Sequence, residues 1–394
     1  MIHTIFGQVL VYALKPERAN NMKNKILSGI CNLLGGALVV RRLLPGSSAS
    51  GSPAYQAGWS RALVFGLIML LIGVPAMIIG LATQPFVSAV PSRSPEVSPD
   101  KLQAHVKHLS VDLYPRSYDR LSNIDAAAQY IVNELKTIGA EVTIQEVVVQ
   151  KTKYQNIVAH FGPSSGPLIV IGAHYDSYGD AIEGAKHAQG YSTKTHTPGA
   201  DDNASGVAGL LELARLLHQN QPRHAVDLVA YTLEEPPNYD TANMGSVWHA
   251  HSLIVAGREV RLMLSLEMIG YFSDKPGSQS FPLPGMNLFY PDTGSFITVV
   301  GRLSDFTAMR NTKALMAGAT DLPVYSMNAP SLVEGVDFSD HRSYWSEGFT
   351  ALMVTDTAFY RNKSYHLSGD TFDKLDYHRM AKVVQSVYAV AENY

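Results

Sequence analysis

Five short stretches of the chain carry residues that can hold metal ions and move protons. His174-Tyr175-Asp176 closes an apolar run. Gly199-Ala200-Asp201-Asp202-Asn203-Ala204-Ser205-Gly206 sets two adjacent carboxylates in a Gly-bounded turn, ahead of an Ala/Leu-rich run. Glu234-Glu235 ends another apolar run and is stopped by Pro236-Pro237. Glu267 ends a third run, and His366 lies in the polar stretch Ser364-Tyr365-His366-Leu367-Ser368-Gly369-Asp370-Thr371. Carboxylate oxygens and imidazole nitrogens make a hard, oxygen- and nitrogen-rich donor set of the kind that holds a metal ion.

Singly, most of these stretches also have a plainer reading. A His-x-Asp at a strand end gives a metal ligand and the acid that orients it, or an ordinary core pair. Asp, Asn and Ser also cap helices, so Asp201-Asp202 reads equally as a solvated helix start. Glu267 needs a buried partner, which a cation or an arginine supplies. His366 by itself is a loop histidine. Two glutamates at the end of an apolar strand are costly unless used, and such a pair divides labour: one binds metal while the other takes a proton from water. Together, two His, one bridging Asp and two Glu form a symmetric set for two ions, with Glu234 left over as base.

The elements that must position these residues alternate. A helix at 101–109 and a second one capped by Ser122 and ended by Gly139 lead into a hairpin over 142–149 and 154–161. Buried strands follow at 168–172, 226–232, 262–266, 296–300 and 350–354, with helices at 203–219, 245–256, 305–316 and 372–391 between and after them. This pattern predicts an α/β domain with a mixed, largely parallel central sheet flanked by helices. In such sheets the ligand site lies beyond the carboxyl ends of the strands, where the candidate residues fall.

The complete order His-x-Asp, Asp-Asp-Asn-x-Ser-Gly, Glu-Glu, strand-end acid and Tyr-His resembles the M28 family of zinc peptidases, over about residues 100–394. That family includes aminopeptidases, glutamate carboxypeptidase-like proteins and glutaminyl cyclases. The resemblance implies a zinc-dependent exopeptidase-like fold and two zinc ions. It implies that His174 and Glu267 hold one zinc, that Glu235 and His366 hold the other, and that Asp202 bridges them. It further implies Glu234 as general base and later acid, Asp176 as the group orienting His174, and Tyr365 as a donor to the oxyanion. Three features depart from the family pattern. Glu267 stands where many members have Asp. The loop 179–199, with His187 and His196, is long. Pro-Pro-Asn-Tyr follows Glu-Glu in place of a short Gly-rich turn. Asp340-His341 is expected to support a loop rather than bind metal.

The rest of the chain bounds the setting. A region of alternating basic and apolar character (1–61) precedes a run without charge, 62–83, which reads as a transmembrane helix. A Pro-rich linker (84–100) joins it to the peptidase-like domain, 101–394. The basic flank predicts a single-pass protein with a cytoplasmic N-terminus and the catalytic domain outside, periplasmic or extracellular. The single cysteine, Cys31, excludes an intrachain disulfide, and a net charge of −3 gives no reason to expect nucleic acid as a partner.

The leading expectation is a membrane-anchored metallo-aminopeptidase acting on peptide substrates. A single-zinc glutaminyl cyclase and a non-catalytic receptor-like domain are the alternatives. A carboxypeptidase would need a cation for the substrate carboxylate, with Arg342, Arg361 and Lys363 as sources. Oligomeric state is left open.

Overall fold

The structure, a computed structural model, describes residues 65–66, 69–179 and 196–394. The expectations for 1–61, and His187 with most of its loop, lie outside the described residues. The chain divides into two units after Gly73. In the first, the described residues are 65–66 and the helical turn Met69–Gly73.

The second unit is built on one eight-stranded sheet. Its strands are β1 (Glu141–Val149), β2 (Thr152–Phe161), β3 (Leu168–His174), β4 (Ala225–Tyr231), β5 (Val260–Glu267), β6 (Ile297–Gly301), β7 (Val324–Asn328) and β8 (Ala351–Thr355). They lie in the order β1-β2-β4-β3-β5-β8-β6-β7. The hairpin β1–β2 adds antiparallel to β4, β6 runs antiparallel to β8, and the central pairs β4–β3, β3–β5 and β5–β8 are parallel. The helices are α1 (Val74–Thr83), α2 (Pro99–Lys107), α3 (Leu121–Ile138), α4 (Gly206–Gln219), α5 (Gly245–Val255), α6 (Phe306–Ala319), α7 (His341–Ser346) and α8 (Tyr377–Asn393).

Strand β3 shows why the sheet takes helices on both faces. All of its residues are buried, and they alternate between two cores. Ile169, Ile171 and Ala173 join the large cluster that holds α2, α3, α4 and α8, while Leu168 and Val170 join a smaller one with Ala250, Leu253 and Tyr344 from α5 and α7. A period of two along the strand sends successive side chains to opposite faces.

Three sequence expectations are corrected. Ser122 does not cap α3: it lies inside the helix and its hydroxyl bonds the side chain of Asn123. Gly139, at φ 95°, does end that helix. Strand β7 and helix α7 were not anticipated. Both are short and half polar, and β7 is an edge strand of five residues with alternating burial. The expected helix at 372–391 starts at Tyr377, where the Asp376 side chain accepts the Arg379 N–H.

The transmembrane reading of 62–83 fails. Residues 62–64 and 67–68 lie outside the described part, and among the described residues no helix is long and apolar enough to cross a membrane. Helix α1 has ten residues, and with the five of the helical turn Met69–Gly73 before it the described helical stretch still falls short of the ~20 that a bilayer core needs. Its carboxyl end is also tied into the domain. Lys313 Nζ donates to the carbonyls of Thr83 (3.2 Å) and Gln84 (2.9 Å), and Ser326 Oγ donates to Thr83 O (2.9 Å). Gln84 itself donates to Asn328 Oδ1 on β7 (2.8 Å). The single-pass topology, with a domain outside the membrane, falls with the span. An uncharged apolar run is necessary for a span but not sufficient for one.

Candidate metal centre

The sheet places candidate ligands at the carboxyl ends of its strands. His174 is the last residue of β3 and Glu267 the last of β5; Glu234 and Glu235 follow the end of β4. Asp202 sits in the turn Ala200–Ser205 before α4, and His366 in the loop before α8. All six residues are at most 7% exposed.

These residues converge into two sets that share Asp202. His174 Nε2 lies 3.4 Å from Asp202 Oδ1 and 3.3 Å from Glu267 Oε2. His366 Nε2 lies 3.0 Å from Asp202 Oδ2 and 3.2 Å from Glu235 Oε2. In each set the three donor atoms lie within 4.8 Å of one another. One carboxylate therefore turns one oxygen to each histidine.

The turn is held so that Asp202 cannot swing away. Gly199 adopts φ 59°, and a Cβ there would meet the Asp202 carbonyl at 2.3 Å. The Asp370 carboxylate accepts the N–H groups of Asp201 (3.2 Å) and Asp202 (3.1 Å). Asn203 donates to Leu266 O (2.8 Å) and accepts from Met268 N (3.2 Å), which ties the turn to the end of β5. Leu233, Met268 and His366 all have positive φ (59°, 51° and 56°). That conformation costs an L residue about 1 kcal/mol or more. It occurs here in three of the segments that carry site residues.

Asp176 links the segments that follow β3 and β4. Its two oxygens accept the N–H groups of Glu234 (3.2 Å) and Glu235 (3.0 Å). His174 Nδ1 lies 3.2 Å from the Asp176 carbonyl and 3.4 Å from its carboxylate. The backbone carbonyl thus shares the orienting of the imidazole with the side chain, a detail that His-x-Asp spacing does not carry.

The electrostatics suit a cation. Four acids, Asp202, Glu234, Glu235 and Glu267, face two imidazoles in a buried space. Burial pushes Glu234 well above the usual carboxylate range, against the opposing pull of His174. Burial and the charge of Asp202 push Glu235 up to about 7. Burial pulls the imidazoles down, yet Glu267 and Glu234 hold His174 well above its ordinary value, and Glu235 and Asp202 carry His366 to about 10. His174 Nε2, Asp202 Oδ2 and Glu235 Oε1 are buried and make no hydrogen bond of good geometry. Buried charge without partners is unfavourable unless a metal takes it up, so the donor set fits one or more zinc ions.

Comparison with known proteins agrees with this chemistry. The profile of Peptidase family M28 matches residues 156–391. This chain belongs to the M28 peptidase family. The M28 chain is 50% identical over 335 residues to the uncharacterized protein YfbL of Escherichia coli (strain K12), covering 84% of this chain and 99% of that one. It is 23% identical over 308 residues to leucine aminopeptidase 1 of Coccidioides posadasii (strain C735), covering 75% and 71%. Its fold matches that of the glutaminyl cyclase of Bacteroides thetaiotaomicron with a TM-score of 0.56 at 21% identity, covering 76% and 99%. The family is one of zinc peptidases, and its fold also serves cyclases.

Other residues of this M28 chain take places that the sequence left open. Asp340 is buried beside the site and contributes no atom to either donor trio, while His341 Nε2 bonds Val336 O at 2.9 Å. Tyr365 is half-buried and stacks on His366 with ring centroids 3.7 Å apart. Burial, then the carboxylates around it, raises its phenol well above the ordinary value, so it is a neutral O–H donor. Tyr239 of the Pro-Pro-Asn-Tyr insertion packs edge-on against Phe338 and under the Arg342 guanidinium. Three residues were missed: Arg116, Ser339 and Asp370. Arg116 is fully buried and donates to the carbonyls of Tyr175 (2.9 Å), Pro198 (3.0 Å) and Gly199 (2.8 Å), clamping both flanks of the long loop. Ser339 donates to Glu267 Oε2 at 2.7 Å. Nothing in a lone Arg or Ser marks such a role, because both act across more than fifty residues of sequence. Asp370 did have a signal, its place four residues after His366.

A cavity opens beside the site. Glu267 and Tyr365 form its inner edge, and Phe281, Met286, Phe296, Phe338, Met353 and Phe359 are among its walls. Among the described residues, no arginine or lysine lines it.

Proposed function

We propose that this M28 protein is a two-zinc aminopeptidase that removes N-terminal residues with large apolar side chains from peptides. The observation that carries the reading is the sharing of Asp202 between two complete ligand sets, with Glu234 Oε2 3.8 Å from His174 Nε2 and an apolar cavity alongside. His174, Asp202 and Glu267 would hold one ion, and Asp202, Glu235 and His366 the other. Bound zinc supplies a Lewis acid and lowers the pKa of water to near neutrality.

The protein's own groups do the rest. Glu234, raised by burial, takes the proton from the attacking water and returns it to the departing amine. Tyr365 donates its O–H to the carbonyl oxygen as charge develops there. Asp176 holds Glu234, Glu235 and His174 in register. The apolar cavity takes the side chain of the residue removed, which agrees with the name of the leucine aminopeptidase relative.

Two other readings have less support. The cyclase reading needs one zinc, yet both ligand sets are present. The carboxypeptidase reading needs a free cation, and the three candidates are engaged. Arg342 pairs with Asp240, Arg361 donates to Gln279 (2.9 Å) and Tyr271 O (3.2 Å), and Lys363 donates to Phe359 O.

Elemental analysis of the purified protein, with a panel of aminoacyl-anilides and Glu234→Gln as control, tests the proposal. Near two zincs, with turnover lowered at least about 100-fold in Glu234→Gln while metal is retained, is the expected result. One zinc with cyclisation of glutaminyl peptides and no anilide hydrolysis would replace it with the cyclase.

A further inference from the structure

We infer that Ser339 is a positioning residue for the metal half-site of His174 and Glu267, and that it is what makes a glutamate workable there. The inference rests on the metal reading above and adds to it which residue outside the ligand set governs one ion and not the other.

Ser265 and Glu267 stand two apart on β5, so the pleat puts both side chains on one face of the sheet. Ser339 reaches them from the loop that enters α7. Its hydroxyl donates to Glu267 Oε2 at 2.7 Å, and its oxygen lies 2.7 Å from Ser265 Oγ. Both serines are fully buried. Each hydroxyl has one proton. That of Ser339 goes to the carboxylate, so Ser265 donates to Ser339, and the relay has a single direction.

The oxygen so held is the one that faces His174 Nε2 at 3.3 Å. A glutamate has one more rotatable bond than an aspartate and loses more freedom when its head is fixed. A buried charge-assisted hydrogen bond at the ligating oxygen supplies that fixing and leaves a lone pair for the ion. The loop carrying Ser339 is itself anchored by His341 Nε2 to Val336 O (2.9 Å) and by Ser343 to Ser246 (2.8 Å). In the other half-site, among the described residues, no hydroxyl bonds Glu235 Oε2, the oxygen that faces His366 Nε2 at 3.2 Å, and Oε1 is buried without a hydrogen-bond partner.

The test is zinc affinity, read by competition with a chromophoric chelator on the purified full chain. The proteins are the wild type, Ser339→Ala, Glu267→Asp, the double variant and Ser265→Ala. The wild type should bind two equivalents. In Ser339→Ala, one equivalent should weaken roughly 10- to 100-fold while the other keeps its affinity. On the Glu267→Asp background the carboxylate is drawn out of the serine's reach, so adding Ser339→Ala should change affinity by no more than about two-fold. Ser265→Ala should give a smaller loss at the same equivalent, and it carries the test if Ser339→Ala does not fold. Equal weakening of both equivalents, an undiminished effect on the aspartate background, or no loss in either serine variant would overturn the inference and leave the two-zinc reading standing. A wild type that binds no zinc would overturn both.

Discussion

Asp176 accepts the backbone N–H of Glu235 at 3.0 Å, and with its other oxygen that of Glu234 at 3.2 Å. A buried acid placed after β3 thereby sets the proposed base and a proposed ligand that both follow β4. Asp176→Asn replaces one acceptor with an amide donor that opposes an N–H. It should lower kcat/KM roughly 10- to 100-fold and loosen zinc. Steady-state kinetics with metal analysis would check this; unchanged values would mean that the two bonds do not position the site.

Asp202 divides its two oxygens between His174 and His366. Asp202→Ala should therefore lose both zinc equivalents, whereas His366→Ala should lose one. In the wild type, removal of metal by a chelator should lower the melting temperature, because buried acids are left without their counter-charge. Metal stoichiometry and thermal unfolding measure both effects.

Two histidines away from the ligand set predict acid sensitivity. Burial lowers His249 to about 4, and burial with nearby arginines lowers His341 to about 3. Folded, these imidazoles stay neutral down to those values; unfolded, they take up a proton near pH 6.5. The unfolded state binds more protons in between, so their contribution is fully present above pH 6.5 and is lost as pH falls toward 4. For His249 it amounts to about 3 kcal/mol. His249→Gln, which keeps an acceptor for the Tyr344 hydroxyl, should flatten the curve of stability against pH over that window. Denaturant midpoints of the two proteins from pH 4 to 8 would show it, because the groups they share cancel in the difference.

The cavity wall offers a test of side-chain choice. Val300 is 5% exposed on β6 and lines the cavity. Val300→Phe should fill the space and lower the ratio of leucyl- to alanyl-anilide kcat/KM by roughly 10-fold or more, since a methylene's worth of pocket counts for that much. A ratio unchanged in a folded variant would place the side chain elsewhere.

The sequence by itself determined the α/β class and the family. Continuous apolar runs such as 168–172 and amphipathic helices are local signals, and the order of His174, Asp202, Glu234-Glu235, Glu267 and His366 is legible because costly polar residues stand where strands end. Local signals also misled. The uncharged run at 62–83 satisfies the composition of a membrane span, and only tertiary contacts show Lys313 and Ser326 bonding the carboxyl end of α1 into the domain. Strand β7 and helix α7 are too short for their periodicity to stand out. Above all, tertiary structure alone decided which oxygen of Asp202 faces which histidine, and that Ser339, Asp370 and Arg116 hold the site's loops. The bonds of Arg116, Ser339 and Asp370 to those loops join residues 59 to 169 positions apart. Side-chain type and spacing carry chemistry along the chain, but packing chooses the partners across it.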